Sequence, residues 1–310
     1  MTSVDQIFLS PAPKTGGGVH GWCFGAAHYL REQGADDEQA VIARLLRETA
    51  NCGRDTTYSI CTAVEKAFGK PLSELGIGYD GSGPKWPQVD PALVSRISRE
   101  EPFTLDGWMA ISPECPSLMA KDEIGTPEKI IDALFPGDPL LCIGMNEKKV
   151  CTERREKMRG HLHKFPLIVP SPMAAREGRT QTGRPSPRTL DNTGSRRWLV
   201  IDLDTTGDYD EQASVMHHLA KMAPLALVIY TGGKGLHGWF WANGMPEEVL
   251  RNFMVYACTV GADDSMFTLC QLARIPGSSR TDKDRSDGTY GRRHTVYYFD
   301  PSCINWEVQS

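Results

Sequence analysis

Apolar residues fall at helical intervals near the start of the chain and at strand-like intervals further on. Trp22, Ala26, Tyr29 and Leu30 share one face of a helix predicted over Gly21 to Gln33, with Gly34 as its stop. A second helix is predicted from Asp36, with Gln39 three residues on as in a capping box, and carries Val41, Ile42, Leu45 and Leu46. A third carries Ile60, Ala63, Val64 and Phe68 and ends at Gly69. Three helices of this length make a small bundle. From about Pro71 to Pro116 the pattern weakens. Gly81-Ser82-Gly83-Pro84 reads as a turn or linker, and Trp86 and Trp108 as buried anchors along a connecting segment.

After Thr126 the pattern alternates. Helices are predicted over Pro127 to Leu134, Thr152 to His161, Asp210 to Met222 and Pro246 to Val260. Strands are predicted over Leu140 to Ile143, Leu167 to Val169, Trp198 to Leu203, Leu225 to Tyr230, Leu236 to Trp241 and Thr295 to Phe299. Pro170 to Ser195, rich in Pro, Gly, Ser, Thr and Arg, reads as a loop. The predicted organisation is a helical domain over 1–75, a connecting segment over 76–125, and an α+β domain over 126–310 with helices on a sheet.

The 310 residues suffice for a domain that buries its own core. No apolar run approaches the roughly 20 residues of a membrane helix, and the first residues lack a basic n-region and a long apolar core. The nine cysteines form no CxxC and no Cys/His pair at zinc spacing, so no zinc is expected. Reduced thiols and the missing signal point by default to the cytoplasm and to no membrane partner. The net charge is −5, yet basic residues crowd between Lys148 and Arg197. Arg176, Arg179, Arg184, Arg188 and Arg196 from that stretch could track a nucleic-acid backbone while distant acids set the overall sign.

Three clusters carry candidate chemistry. In Trp198-Leu199-Val200-Ile201-Asp202-Leu203-Asp204 an apolar strand emerges into two aspartates at i and i+2. Strand alternation sets both on one face, about 7 Å apart at Cα, where a hard cation such as Mg²⁺ or Mn²⁺ would relieve their repulsion. In Tyr230-Thr231-Gly232-Gly233-Lys234-Gly235-Leu236-His237 a strand ends in glycines that let amides approach a phosphate, followed by a Lys and a His. The spacing is not that of a Walker loop, so a P-loop ATPase is rejected. Gly261-Ala262-Asp263-Asp264 precedes Arg274-Ile275-Pro276-Gly277-Ser278-Ser279-Arg280, a third acid ahead of an Arg and a Ser-rich turn suited to phosphate or sugar. Taken singly, each has a plain structural explanation as a strand-end acid, a tight turn or a helix cap.

In this order and spacing the clusters resemble the archaeo-eukaryotic primase superfamily, closest to the primase-polymerase branch of phages, plasmids and other mobile elements. The resemblance covers roughly Thr126 to the C-terminus. It implies an RRM-like palm and two-metal nucleotidyl transfer with NTPs or dNTPs on a single-stranded DNA template. It also implies that Asp202, Asp204 and Asp263 hold Mg²⁺ or Mn²⁺, and that His237 contacts the incoming triphosphate beside Lys234, Gly232, Gly233 and Gly235. Arg274, Ser278 and Arg280 would then bind nucleotide or template. Asp263-Asp264 is a doublet, and the distance to Arg274 favours Asp263 as the ligand. The helices from Gly18 to Phe68 resemble, less strongly, the helical accessory module that assists initiation in such primases. No helicase is present in the chain, so one would be a separate partner. Two other readings remain. One is a non-catalytic replication initiator that binds single-stranded DNA, and the other a nuclease using Asp264 as base.

Overall fold

The chain divides into two units, Met1–Lys85 and Trp86–Ser310. The computed structural model describes residues 9, 12, 19–35, 37–49, 57–69, 86–114, 125–180, 182–204, 208–282 and 288–305. Asp36 and the turn Gly81–Pro84 lie outside the described residues.

In the first unit three helices form, α1 (Val19–Glu32), α2 (Glu38–Thr49) and α3 (Thr57–Phe68). Cys23, Ala26, Ala27 and Leu30 of α1 meet Val41, Ile42 and Leu45 of α2 and Ile60, Ala63 and Val64 of α3 in one buried cluster. Gly34 ends α1 at φ +90°, a conformation open to glycine, and the Ala35 amide then returns to the Leu30 carbonyl at 3.0 Å. The cap of α2 is Asp37, whose Oδ1 accepts from the Ala40 amide at 3.1 Å. Either aspartate satisfies the cap chemistry, which is why composition alone misplaces the start by one residue.

The second unit is α+β. Helices α4 (Pro91–Glu100), α5 (Leu105–Ile111), α6 (Gly125–Leu134), α7 (Tyr209–Ala220) and α8 (Glu247–Thr259) accompany two four-stranded sheets. The first sheet has the order β2 (Val150–Arg154), β1 (Leu140–Gly144), β3 (Leu167–Ile168), β9 (Ala273–Arg274). The second has the order β10 (Val296–Phe299), β7 (Leu225–Tyr230), β8 (Leu236–Trp241), β6 (Trp198–Leu203). Strands β4 (Gly178–Arg179) and β5 (Pro185–Ser186) make a short separate ribbon, and every pairing among these strands is antiparallel.

Strands β6, β7 and β8 read as near-continuous apolar runs because both faces are covered. Helix α7 lies against β8, and Gly238 leaves the room that the Met216 side chain fills. Trp108, Trp198 and Trp239 are fully buried in a single cluster that draws on both large sheets. The Trp108 Nε1 donates to the Ala213 carbonyl at 3.3 Å, and Trp198 Nε1 to the Leu134 carbonyl at 3.2 Å.

Three expectations change. Residues from Trp86 to Ile111, read as a connecting segment, form α4 and α5 within the second unit. Asp90 caps α4 at the Ala92 and Leu93 amides, and its own amide donates to Thr259 at 2.8 Å. The helix predicted over Thr152 to His161 is instead strand β2 followed by a 3-10 turn, Arg155–Met158. Asn146 nucleates the β1–β2 turn by accepting from Lys148 and Lys149, and Arg155 is fully buried between Glu128 and Asp132 at 2.5 and 2.9 Å. The loop Pro170 to Ser195 is pinned rather than freely solvated. The buried Asn192 side chain accepts from the amide and hydroxyl of Thr189 and donates to the Ala175 and Pro187 carbonyls.

Candidate functional site

The three sequence clusters meet at one end of the β6–β8 pair. The antiparallel register sets Asp202 opposite His237 and Leu203 opposite Leu236. Asp204 therefore emerges beside the turn that joins β7 to β8. Gly235 lies so close that a Cβ there would overlap the Leu203 carbonyl and stand 2.7 Å from the Asp204 Cβ. Only glycine permits that approach. On the outer side of β6, Ala262 bridges Leu203, and the Asp263 amide donates to the Asp202 carbonyl at 3.0 Å.

The turn itself is braced through its carbonyls. Tyr209 Oη and Tyr230 Oη donate to Gly233, Gln212 Nε2 donates to Lys234, and the Thr231 hydroxyl and amide donate to Gly235. The amides of Gly232, Gly233 and Lys234 make no hydrogen bond with another described residue. Three successive unpartnered amides with φ +75° at Gly232 suit an anion. The Arg280 guanidinium packs directly against the Gly233 Cα, and Arg280 Nε is buried without a hydrogen-bond partner among the described residues. Lys234 is exposed.

The aspartates are coupled. Loss of hydration raises the Asp204 carboxyl above the usual carboxylate range, and the charges of Asp202 and Asp263 add to the effect. Lys234 and His237 oppose it. Asp202 Oδ2 is 3.2 Å from His237 Nε2, while Asp202 Oδ1 is buried with no hydrogen-bond partner among the described residues. Both Asp263 oxygens are occupied by Ser265, Oδ1 by its amide at 3.0 Å and Oδ2 by its hydroxyl at 2.9 Å. With these side chains turned to protein partners, no group of three or more His, Cys, Asp or Glu among the described residues forms a ready metal cage. The donor set nevertheless fits a hard divalent cation. An orphaned carboxylate oxygen, and a carboxyl raised first by burial and then by its acidic neighbours, are what such a cation would relieve.

The side chains of the other predicted residues are mostly engaged with protein partners. The Arg274 guanidinium is committed to Asp282 at 2.6 Å, with only 12% and 8% of the two side chains exposed. Burial alone would raise the Asp282 carboxyl, but the hydrogen bond and charge of Arg274 outweigh it and hold it below its usual range. The Ser278 hydroxyl is buried and donates to the His163 and Phe165 carbonyls. Arg196 is tied to Glu247 and the Phe267 carbonyl and lies over the Phe267 ring. Arg188 donates to the Cys270 and Glu147 carbonyls, Arg176 pairs with Glu153, and Arg179 donates to Gly183. Arg184 is exposed at the tip of the β4–β5 ribbon.

Sequence reasoning missed Tyr209, Gln212, Asp282 and His294. His294 is fully buried, donates from Nδ1 to the Ile275 carbonyl, and is pushed down to about 3 by burial and by Arg274, so it stays neutral. Tyr230, which also braces the turn, had a signal in its position two residues before Gly232. No family model, curated protein or solved structure matches the chain. Among the described residues no helix is long and apolar enough to cross a membrane.

Proposed function

We propose that the second unit is a template-dependent nucleotidyltransferase, a DNA primase or primase-polymerase with an RRM-like palm, acting on single-stranded DNA with NTPs or dNTPs. The observation that carries this reading is the juxtaposition of an acidic pair with an anion-ready turn. Asp202 and Asp204 leave β6 beside a glycine turn whose amides at 232–234 have no partner among the described residues.

In this reading the turn amides, Lys234 and the Arg280 guanidinium hold the triphosphate, replacing its lost water with fixed donors. Asp202, Asp204 and Asp263 would hold Mg²⁺ or Mn²⁺, and Asp263 is favoured over Asp264 because its amide joins the Asp202 carbonyl and its charge bears on Asp204. When bound, the cations neutralise charge on the attacking and leaving oxygens of an α-phosphate. The residues hold two nucleotides within bonding distance, so that a 3′-hydroxyl displaces pyrophosphate and its proton passes to water. Arg274 reaches the site through its main chain, its guanidinium being held by Asp282. The helical first unit would assist initiation, and a replicative helicase would be a separate protein.

A second reading, a non-catalytic initiator that binds single-stranded DNA, is favoured by one observation. Asp202 and Asp263 are both turned onto protein partners. The deciding experiment incubates the chain with unprimed single-stranded DNA, Mg²⁺ or Mn²⁺ and labelled NTPs or dNTPs, beside the Asp202→Ala/Asp204→Ala double variant. Template-dependent products from the wild type alone support the primase. DNA binding without synthesis, primed or unprimed, supports the initiator.

A further inference from the structure

We infer that Arg292 is a specificity-determining residue that meets the terminal phosphate of the nucleotide and so selects triphosphates over diphosphates. The inference rests on the proposed nucleotidyltransferase reading and deepens it.

The glycine turn has two unlike ends. At Gly235 it lies against the acids, where a Cβ would stand 2.7 Å from the Asp204 Cβ. At Gly232 a Cβ would stand 3.0 Å from the Arg292 carbonyl oxygen, 3.3 Å from the Arg280 Cβ and 3.4 Å from the His294 Cδ2. The backbone at this second end is fixed. Ser279 bridges Arg293, the Arg280 amide donates to the Arg292 carbonyl at 2.8 Å, and the Gly291 amide donates to the Arg280 carbonyl at 2.8 Å. The Tyr209 hydroxyl is raised above its ordinary range first by its contact with Tyr230 and then by burial, and the Arg292 charge opposes the rise. The guanidinium is therefore within electrostatic reach of the hydroxyl that holds the Gly233 carbonyl. Arg292 is exposed, and its guanidinium makes no hydrogen bond or ion pair with another described residue.

The polarity of the turn orients the nucleotide. The bond that breaks is at the α-phosphate, which the acids must face. The rest of the triphosphate then runs from the Gly235 end toward the Gly232 end, past the unpartnered amides of residues 234, 233 and 232. Its terminal phosphate arrives where Arg280 packs on Gly233 and Arg292 stands as the open cation. A guanidinium gives a phosphate two parallel donors, and a diphosphate, one phosphate shorter, does not reach it.

The test needs no catalytic assay. The full chain is titrated by calorimetry, with Mg²⁺ and without primer, with a nucleoside triphosphate whose α,β bridge is an imido group and with the matching diphosphate. Fluorescence anisotropy measures a single-stranded DNA oligonucleotide in the absence of nucleotide. Arg292→Gln is expected to weaken triphosphate binding about tenfold and to shift diphosphate and oligonucleotide binding less than about twofold. Arg292→Lys keeps the charge and should recover part of the loss. Unchanged triphosphate affinity in Arg292→Gln overturns the inference. So does an equal fall for triphosphate and diphosphate, the mark of a general charge effect. Loss of oligonucleotide binding with triphosphate binding intact overturns it as well, and gives Arg292 to the DNA backbone instead. Failure of the wild type to bind either nucleotide would overturn the proposed function itself.

Discussion

Tyr209 and Tyr230 donate to one and the same carbonyl, that of Gly233, at 3.1 and 3.0 Å, from rings that meet edge to face. Tyr230 belongs to the strand that ends in the turn, and Tyr209 to the first turn of α7. Together they fix the peptide whose amide is part of the anion site. Replacing both by Phe keeps the rings and removes two donors, at a cost of about 2 kcal/mol in total. The chemical-denaturation midpoint should fall accordingly, and triphosphate affinity should fall further than in either single variant. Unchanged affinity in the double variant would show that the turn holds its shape without them.

The Arg274–Asp282 pair is buried, so its two halves are not equivalent to remove. Asp282→Ala strands a guanidinium and should destabilise the second unit by about 3 kcal/mol, whereas Arg274→Met/Asp282→Ala together should recover part of the loss. The pH dependence has a definite sign. The Asp282 carboxyl is held below its ordinary range, so its contribution is full above the ordinary carboxylate range and is lost as pH falls through the lowered value. Urea titrations at a series of pH values, wild type against variant, would show the gap closing toward acid.

Asp204 works in the opposite direction. Its carboxyl is raised in the folded chain, so the unfolded chain gives up its proton first and stability falls as pH climbs through that window. Asp204→Asn should therefore melt higher than the wild type at neutral pH, with the difference vanishing below the usual carboxylate range. Added Mg²⁺ should raise the wild type and leave the variant nearly where it was. A variant that melts lower at neutral pH would contradict the electrostatic account.

Asn192→Ala should cost about 2–3 kcal/mol, because it strips four hydrogen bonds from a buried side chain that ties the 170–195 segment down. Limited proteolysis should then cut between Arg176 and Arg188 faster than in the wild type.

Arg184 tests the nucleic-acid face. If it meets a phosphate, Arg184→Ala should lower the slope of log affinity for single-stranded DNA against log salt by about 0.7. Arg196→Ala should act through stability instead, since that guanidinium is occupied by Glu247 and Phe267.

The bounds of β6, β7 and β8 were legible in the sequence because each is an apolar run closed by Asp, Gly or Pro. The segment 150–158 was not. Its charged residues read as a helix face, and nothing in the string announces that Arg155 is buried between two acids on α6. Asp202, Asp204 and the glycine turn converge as the motif order suggested. The arginines did not sort so well, because composition counts a guanidinium as surface charge whether it meets solvent or a carbonyl. Tyr209 and Asp282 left no local trace, since each acts on a residue that only the tertiary fold brings near.

Strand β9 is two residues long, yet it joins β3 in one sheet while the Arg274 amide reaches His237 in the other. So short a strand opens more readily than the sheets it links. The Arg274 amide proton is therefore a natural gauge of assembly. Its exchange with deuterated solvent would report how often the two sheets part at the site, and slowing on addition of Mn²⁺ or a nucleoside triphosphate would register occupancy with no label added to the protein.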